Sequence, residues 1–203
     1  MSAPIRITAA DFLTTASGRE SWPPPRAPEY AFVGRSNVGK SSMINALCQR
    51  KKLVRVSNTP GRTRTLNFFS VTVEHGTEVT QARLCDLPGY GFAKASKSER
   101  ASWQKMIGEY LKGRDGLRAV VSIIDAEIGP TGDDVSMLDF LQELSPRVLV
   151  AATKLDRINK AARKPRLWKI AEQLELPQAA VLGFSATEPL GFEEVWRALL
   201  TVG

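Results

Sequence analysis

The stretch Gly34-Arg-Ser-Asn-Val-Gly-Lys-Ser41 decides the fold of this chain of 203 residues. It fits the pattern G-x-x-x-x-G-K-[ST], a loop whose backbone N–H groups hold phosphates. An apolar run at residues 30–33 precedes it and a helical pattern at residues 40–49 follows, as the motif requires. We therefore predict a strand–loop–helix unit in which Lys40 reaches the β- and γ-phosphates of a nucleotide and Ser41 binds Mg²⁺.

A second motif, Asp86-Leu-Pro-Gly89, follows another apolar run. A carboxylate at the end of a strand is well placed to hold Mg²⁺, commonly through water, so Asp86 is a predicted metal ligand. We expect the backbone N–H of Gly89 to contact the terminal phosphate. The pattern D-x-x-G alone also fits a simple turn, and it becomes informative only because it follows the phosphate loop.

A third motif, Thr153-Lys-Leu-Asp156, follows the run Arg147-Val-Leu-Val-Ala-Ala152 and resembles the guanine-binding motif [NT]-K-x-D. One carboxylate can accept from both N1–H and the 2-amino group of guanine, whereas adenine offers no such pair of donors. Because charge-assisted hydrogen bonds contribute about 1.5–3 kcal/mol each, Asp156 would exclude adenine strongly. The triplet Phe184-Ser-Ala186 resembles the last base-contacting motif, in which a backbone N–H meets the base oxygen.

A polar, basic segment, Thr59-Pro-Gly-Arg-Thr-Arg-Thr65, lies where a nucleotide-dependent switch loop is expected. A threonine hydroxyl there would join the Mg²⁺ shell while the γ-phosphate is present. We choose Thr63 for that role, with Thr65 and Thr59 as alternatives.

These motifs define the expected site. The expected nucleotide contacts are Gly34, Arg35, Ser36, Asn37, Val38, Gly39, Lys40, Ser41, Ser42, Gly61, Arg62, Thr63, Arg64, Thr65, Asp86, Leu87, Pro88, Gly89, Thr153, Lys154, Leu155, Asp156, Phe184, Ser185 and Ala186. The expected metal ligands are Ser41, Thr63 and Asp86, and the residues expected to act in catalysis are Lys40, Thr63, Gly89 and Asn37.

The pattern along the chain predicts one α/β domain at residues 29–203 after an N-terminal extension at residues 1–28, which ends in a proline-rich run. Strands are predicted at 29–33, 65–73, 81–86, 117–124, 147–152 and 179–184, and helices at 40–49, 98–112, 131–144, 160–174 and 192–200. We expect a three-layer fold with a mostly parallel six-stranded sheet, one antiparallel edge strand and helices on both faces.

Composition excludes several classes of protein. The hydrophobic fraction of 43% is ordinary for a globular chain, and we see neither a leader nor an apolar run long enough for a membrane span. Cys48 and Cys85 lie in apolar stretches, which predicts reduced core residues of a cytoplasmic protein. The single histidine, His75, precedes Gly76 in a predicted hairpin turn, so a Ser–His–Asp hydrolase is disfavoured.

The net charge of +7 is concentrated in two places. Basic residues cluster at 50–64 and again at 157–169, and residues 30–73 contain no acidic side chain. Such clusters favour a polyanionic partner, and we predict RNA. Solvated surfaces, together with attraction of the nucleotide's own phosphates, are the alternative explanation.

The motifs together resemble the EngB family of Era-like, translation-factor-related GTPases. The resemblance is carried by GRSNVGKSS (34–42), TPGRTRTLNFF (59–69), DLPGYGFA (86–93) and TKLD (153–156). It implies a Ras-like P-loop fold with GTP or GDP as ligand, Mg²⁺ as cofactor, and a bacterial, monomeric GTPase acting in assembly of the large (50S) ribosomal subunit. It also implies a link to cell division and septation, and an rRNA partner for the two basic clusters.

One position changes the expected mechanism. Ras-like proteins place a water-orienting glutamine directly after D-x-x-G, and this chain has Tyr90 there. A phenol cannot orient water in the same way, so we expect slow hydrolysis until K⁺ or a ribosomal partner acts. Asn37 stands where the resemblance implies a K⁺ ligand.

Two other functions remain open at this stage. A nucleotide-gated RNA-binding module with little hydrolysis would use the same site. An ATP-dependent kinase or ATPase would share the phosphate loop, although TKLD argues against it. Among the aromatic residues, Trp103, Tyr110 and Trp196 are predicted to pack in the core, whereas Trp168 stands among basic residues and is a candidate for RNA stacking.

Overall fold

The computed structural model describes residues 3–54, 65–91, 97–144 and 147–202, the side chains of Lys97 and Arg100 excepted. Its strands are β1 (Ile5–Ala16), β2 (Glu29–Gly34), β3 (Leu66–His75), β4 (Glu78–Asp86), β5 (Leu117–Asp125), β6 (Val148–Thr153) and β7 (Val181–Gly183). Its α-helices are α1 (Lys40–Leu47), α2 (Lys97–Gly113), α3 (Gly132–Leu144), α4 (Lys160–Gln173) and α5 (Phe192–Leu200).

The strands of the described residues form one sheet in the order β1-β3-β4-β2-β5-β6-β7. The five strands from β4 to β7 in that order run parallel, and β3 is antiparallel to both of its neighbours. The predicted fold class, an α/β domain with a mostly parallel sheet, is confirmed. The predicted count of six strands was wrong, because the described residues form a seven-stranded sheet.

The additional strand is β1, which lies within the segment expected to be an N-terminal extension. It pairs with β3 along its whole length, from Ile5 opposite His75 to Ala16 opposite Leu66. The expected antiparallel edge strand, β3, is therefore interior to the sheet. Two register shifts interrupt β1, and each one changes which face the following side chains point to. The apolar alternation is broken as a result, which explains why the strand does not stand out in the sequence.

Helices cover both faces of the sheet, as expected. Alternate residues of β2 belong to different apolar clusters, because successive strand side chains point to opposite faces. Tyr30 and Phe32 pack with residues of α1 and α5, whereas Ala31 and Val33 pack with residues of α2 and α3. A third cluster joins α4 to β6 and β7.

Of the three aromatic residues predicted to pack in the core, two are buried, whereas Trp103 is only partly buried and packs against one of the apolar clusters. Trp196 and Tyr110 are fully buried, and the indole N–H of Trp196 donates to the Leu47 carbonyl at 3.0 Å. Cys48 and Cys85 are also fully buried and unpaired with each other, and burial raises the pKa of the Cys48 thiol to about 12. Both thiols are therefore protonated core groups at neutral pH.

Four strands of the sheet end at the same edge. Gly34, Asp86, Asp125 and Thr153 are the last residues of β2, β4, β5 and β6. In the sheet register Asp86 lies opposite Phe32 and Asp125 lies opposite Thr153. The carboxyl edge of a parallel sheet is where such folds bind ligands, so the motif residues meet where a site is expected. Among the described residues, every helix is too short or too polar to cross a bilayer.

Candidate nucleotide-binding site

The phosphate loop runs from the end of β2 to the start of α1. Asn37 and Gly39 adopt left-handed backbone conformations, with φ of 64° and 101°. A side chain at Gly34 would lie 2.7 Å from the Val38 side chain, so the first glycine is required by close packing. The first turn of α1 has no acidic residue, which leaves the positive end of the helix uncompensated and available to an anion.

Lys40 and Asp86 bring the first two motifs together. The Lys40 ammonium is ion-paired with the Asp86 carboxylate, and both side chains are nearly buried. Ser41 follows in the first turn of α1 and is partly exposed, and Ser42 is exposed. The predicted phosphate lysine and two of the three predicted metal ligands, Ser41 and Asp86, therefore lie at one end of the sheet.

The donor set suits Mg²⁺. Magnesium prefers hard oxygen ligands and is held by one or two carboxylates together with substrate phosphates, and Ser41 and Asp86 supply a hydroxyl and a carboxylate beside the phosphate loop. No group of three metal-binding side chains occurs in the described parts of the chain.

The predicted base-binding loop is joined to the phosphate loop by side chains. The Thr153 hydroxyl donates to the Val38 carbonyl at 2.5 Å, and the Lys154 ammonium donates to the Asn37 carbonyl at 2.9 Å. Lys154 has a left-handed backbone with φ of 57°, and its ammonium also pairs with Asp125 at 2.7 Å. The two loops therefore have a defined separation, as two halves of a single ligand site need.

Asp125 is a site residue that the motifs did not indicate. Burial alone would raise the pKa of its carboxyl, but hydrogen bonds from Lys154 and from the backbone N–H groups of Ile128 and Glu127 hold it below the ordinary value of 3.8. The sequence could have indicated Asp125 as a site residue, because it ends an apolar strand in the same way as Asp86 does.

Asp156 is oriented by the last motif. The Ser185 hydroxyl donates to its carboxylate at 2.6 Å, and this bond is the main reason that the pKa of Asp156 lies below 3.8. Phe184 is buried and its carbonyl accepts from the Leu155 N–H at 3.2 Å, whereas Ala186 is exposed. A preset, ionised carboxylate is what recognition of the guanine N1–H and 2-amino donors requires.

The loop after Asp86 is bonded to the start of the phosphate loop. The Tyr90 N–H donates to the Gly34 carbonyl and the Ser36 N–H donates to the Tyr90 carbonyl, both at 3.3 Å. Gly89 directly precedes Tyr90, and a side chain at Gly89 would lie 3.1 Å from the Gly34 carbonyl oxygen. Leu87 and Pro88 are buried, and Gly89 is partly exposed beside the phosphate loop.

One predicted contact, Arg35, has its side chain bonded to another element, and four predicted contacts are not described. The Arg35 side chain is directed to Asp134 on α3, and the Tyr90 hydroxyl is directed to that same carboxylate. Thr65 is partly buried directly before β3. The predicted switch-loop contacts Gly61, Arg62, Thr63 and Arg64, and the alternative Thr59, lie outside the described residues.

The phosphate loop, the strand-end aspartate and the TKLD loop on a mostly parallel sheet define a P-loop GTPase fold. A family model described as a 50S ribosome-binding GTPase matches residues 29–154. The GTP-binding protein EngB of Myxococcus xanthus (strain DK1622) is 60% identical over 196 residues, which cover 97% of this chain and 95% of the relative. EngB of Bacillus thuringiensis (strain Al Hakam) is 43% identical over 196 residues, 96% of each chain. The chain therefore belongs to the EngB family of GTP-binding proteins.

Solved structures agree with this assignment. The crystal structure of an EngB GTP-binding protein matches with a TM-score of 0.63 and 26% identity over 86% of this chain and 97% of that one. Era in complex with MgGDPNP and a segment of 16S ribosomal RNA matches with a TM-score of 0.66 and 23% identity, over 86% of this chain and 56% of Era. The likeness to Era concerns the fold alone.

Proposed function

We propose that this protein is a Mg²⁺-dependent GTP hydrolase whose nucleotide state times a step in assembly of the large (50S) ribosomal subunit. The observation that carries the proposal is the joining of the two half-sites, through Thr153 to Val38 and Lys154 to Asn37. This joining sets the distance between a phosphate site and a carboxylate, Asp156, that suits guanine. Action in the bacterial cytoplasm, a monomeric state and a link to cell division and septation belong to the same proposal, supported by membership of the EngB family.

The residues of the site have separate proposed roles in binding the nucleotide and Mg²⁺. Lys40 and the N–H groups at the start of α1 hold the β- and γ-phosphates, and Asp156 with Lys154 holds the base. Ser41 and Asp86 would hold Mg²⁺, with Thr63 as the third proposed ligand. When bound, Mg²⁺ neutralises charge on the phosphate oxygens. Lys40 exchanges its ion pair with Asp86 for the phosphates, which frees the Asp86 carboxylate for the metal shell.

The intrinsic rate is proposed to be slow. The Tyr90 hydroxyl donates to Asp134 at 2.9 Å and is buried, so it does not orient a water molecule. Asn37 is exposed on the phosphate loop and is the proposed K⁺ ligand. We expect faster GTP hydrolysis in K⁺ buffer than in Na⁺ buffer, and a reduced difference for Asn37→Ala. Equal rates in the two buffers would remove K⁺ from the proposal.

Helix α4 offers a surface for rRNA. Lys160, Lys164 and Trp168 are exposed and lie four residues apart, so they share one face of the helix. The Lys164 ammonium lies 5.0 Å from the centre of the Trp168 ring. Two other cations of the cluster are already engaged, since Arg163 pairs with Glu188 and Arg166 donates to the Ala126 carbonyl. The three residues on this face can meet phosphates and an unpaired base. The other basic cluster, residues 50–64, is described only as far as residue 54.

Co-sedimentation with purified large ribosomal subunits tests the function. The protein is mixed with subunits in the presence of a GTP analogue, GDP or no nucleotide, and hydrolysis is followed in parallel. We expect association with the GTP analogue, release with GDP and stimulation of hydrolysis. Association that ignores the nucleotide would contradict the switch. Association that depends on the nucleotide without hydrolysis would favour the RNA-binding module instead.

A charge-reversed variant tests the α4 surface. Lys160→Glu with Lys164→Glu should weaken co-sedimentation and reduce its dependence on salt, because fewer phosphates are neutralised. Arg157→Glu is the matched control, since Arg157 is exposed and already paired with Glu127. Equal losses in both variants would show a general charge effect and not a defined RNA contact.

A further inference from the structure

Asp134 lies outside every motif, yet it contacts two of them. Its side chain is fully buried near the start of α3. Its carboxylate accepts from the Arg35 guanidinium at 3.0 and 3.1 Å and from the Tyr90 hydroxyl at 2.9 Å. Arg35 is the second residue of the phosphate loop, and Tyr90 directly follows D-x-x-G. One buried charge therefore bonds to both loops that face the terminal phosphate.

The backbone shows what this carboxylate holds in place. Arg35 and Tyr90 form an isolated parallel bridge that continues the pairing of the sheet beyond the ends of β2 and β4. Gly91 follows with a positive φ of 74°, and a side chain there would lie 3.2 Å from the stem of Arg35. The last residue of the loop from Asp86 to Tyr90 is thereby held against the phosphate loop.

A second contact fixes the same loop from α2. The Trp103 indole N–H donates to the Pro88 carbonyl at 3.0 Å, and its ring meets the Tyr90 ring edge-on with centres 6.2 Å apart. Gly89, whose N–H is proposed to meet the terminal phosphate, lies between Pro88 and Tyr90. Two side chains from different helices therefore hold the residues on either side of Gly89.

A purely local role for Asp134 is the alternative. Its carboxylate also accepts from the backbone N–H and the hydroxyl of Thr131 at 2.8 and 2.7 Å, an arrangement that caps α3. A helix cap needs neither Arg35 nor Tyr90, both of which approach the carboxylate from other elements. Tyr90 remains a neutral donor, since burial and the neighbouring Asp134 raise its pKa far above 10.0.

We propose that Asp134 is a positioning residue for GTP hydrolysis, which acts through Arg35 and Tyr90 to hold Gly89 at the site of the terminal phosphate. This inference rests on the proposed function. It accounts for the aromatic residue at the position where glutamine orients water in Ras-like proteins. In this chain that position holds the loop in place, and a small displacement of the loop is enough to slow hydrolysis substantially.

Single-turnover hydrolysis by Tyr90→Phe, Asp134→Asn and the double variant tests the proposal, with binding of fluorescent GDP measured alongside. We expect the hydrolysis rate constant to fall about 10-fold in Tyr90→Phe and about 100-fold in Asp134→Asn. GDP affinity should change less than about threefold, because GDP lacks the phosphate that Gly89 meets. The double variant should match Asp134→Asn alone, because both changes act through one contact.

Two controls separate positioning from stability. Tyr110→Phe removes a phenol that donates to the buried Glu29 carboxylate at 2.6 Å, at the opposite end of the sheet. Thr131→Val removes one bond of the α3 cap and leaves Arg35 and Tyr90 with their acceptor. Both controls should lower the melting temperature without changing the hydrolysis rate constant.

The outcomes are distinguishable. Hydrolysis at the wild-type rate by Tyr90→Phe would overturn the proposal, even if Asp134→Asn did not fold. A loss in Thr131→Val equal to that in Asp134→Asn would assign Asp134 to the helix cap alone. Failure of the wild-type protein to bind GTP would overturn the proposed function itself, whereas the first two results would leave that function intact.

Discussion

At the scale of single residues, specificity for the base depends on one oriented carboxylate. Asp156 accepts from Ser185 at 2.6 Å, and Ser185 is itself buried. The Ser185 oxygen also accepts from the backbone N–H groups of Thr187 and Glu188 at 3.1 and 3.0 Å. The Ser185 hydroxyl is therefore fixed as a donor toward Asp156. This bond keeps the Asp156 carboxylate ionised and holds its orientation in the absence of ligand.

Asp156→Asn should change the preferred base. The amide cannot accept from both the N1–H and 2-amino donors of guanine, but its own N–H can donate to the 2-oxo group of xanthine. Loss of a charge-assisted bond of about 1.5–3 kcal/mol predicts a fall of roughly 10- to 100-fold in GTP affinity and a gain for xanthosine triphosphate. Competition binding measures both. Asp139→Asn, an exposed change on α3, is the control, and unchanged GTP affinity in Asp156→Asn would refute guanine recognition.

The Lys154–Asp125 pair makes stability depend on pH. The folded pKa of Asp125 lies below 3.8, so its contribution is present above about pH 4 and is lost as the pH falls through the folded pKa. Lys154→Met removes the charged donor, and with it the largest of the contacts that lower the pKa of Asp125. The variant should unfold more easily at pH 7, and its difference from wild type should shrink below about pH 4.

Denaturant unfolding from pH 3 to pH 7 checks this expectation. Lys160→Met, which removes an exposed lysine, is the matched control and should change the free energy of unfolding little at any pH. A difference between wild type and Lys154→Met that stays constant across the whole range would contradict the role of Asp125.

At the scale of elements, the position of α1 depends on α5. Trp196 is fully buried on α5 and donates to the carbonyl of Leu47, the last residue of α1. This bond satisfies a carbonyl group that the end of a helix leaves without an intrahelical partner. The helix whose first turn forms the phosphate site is thus held at its other end by a side chain about 150 residues away along the chain.

Trp196→Phe should destabilise the fold. It leaves a cavity and an unpaired buried carbonyl, and we expect the free energy of unfolding to fall by about 2–4 kcal/mol. Trp168→Phe is the control, because Trp168 is 39% exposed and the change should cost less than about 1 kcal/mol. Urea unfolding of both variants distinguishes them. A comparably small loss in the two would mean that neither the buried area of Trp196 nor its bond to Leu47 contributes much to stability.

The elements also show which features a sequence can reveal. The phosphate loop and the strands β2 and β5 follow from local patterns, because apolar runs and glycine positions are read over a few residues. The edge strand β1 was missed because its register shifts break the alternation. Asp134 was missed because its partner Arg35 is 99 positions away, a contact that only the tertiary fold creates.

At the scale of the whole molecule, the candidate nucleotide site and a buried ionic network around Glu29 lie at opposite ends of β2. Glu29 begins β2, is fully buried and accepts from Arg114 at 2.6 and 2.7 Å and from Tyr110. Arg83 of β4 also lies 3.4 Å from Glu29 and donates to the Pro24 carbonyl at 2.8 Å. One carboxylate thus connects two strands, the region after α2 and the proline-rich segment.

Glu29→Gln should therefore destabilise the whole domain without altering the site. It leaves the buried Arg114 and Arg83 without a countercharge, and we expect a loss of about 3–5 kcal/mol. Glu127→Gln breaks the exposed pair with Arg157 and should change the free energy of unfolding far less, because solvent screens that pair. Thermal unfolding measures the difference, and GTP affinity of the folded Glu29→Gln protein should match wild type. A specific loss of affinity would contradict this separation.

The edge strand β1 has a consequence for synthesis of the chain. It is made before its only partner in the described sheet, β3, whose last residue follows about sixty positions later. At translation rates of about 5–20 residues per second, several seconds pass between synthesis of β1 and synthesis of β3. During that time the backbone groups of β1 have no partner strand in their own chain. Phe12 and Leu13 stay substantially exposed even in the folded protein, while Arg6 and Asp11 place charges along the same strand. Those charges discourage the nascent strand from pairing with strands of neighbouring chains until its own partner emerges.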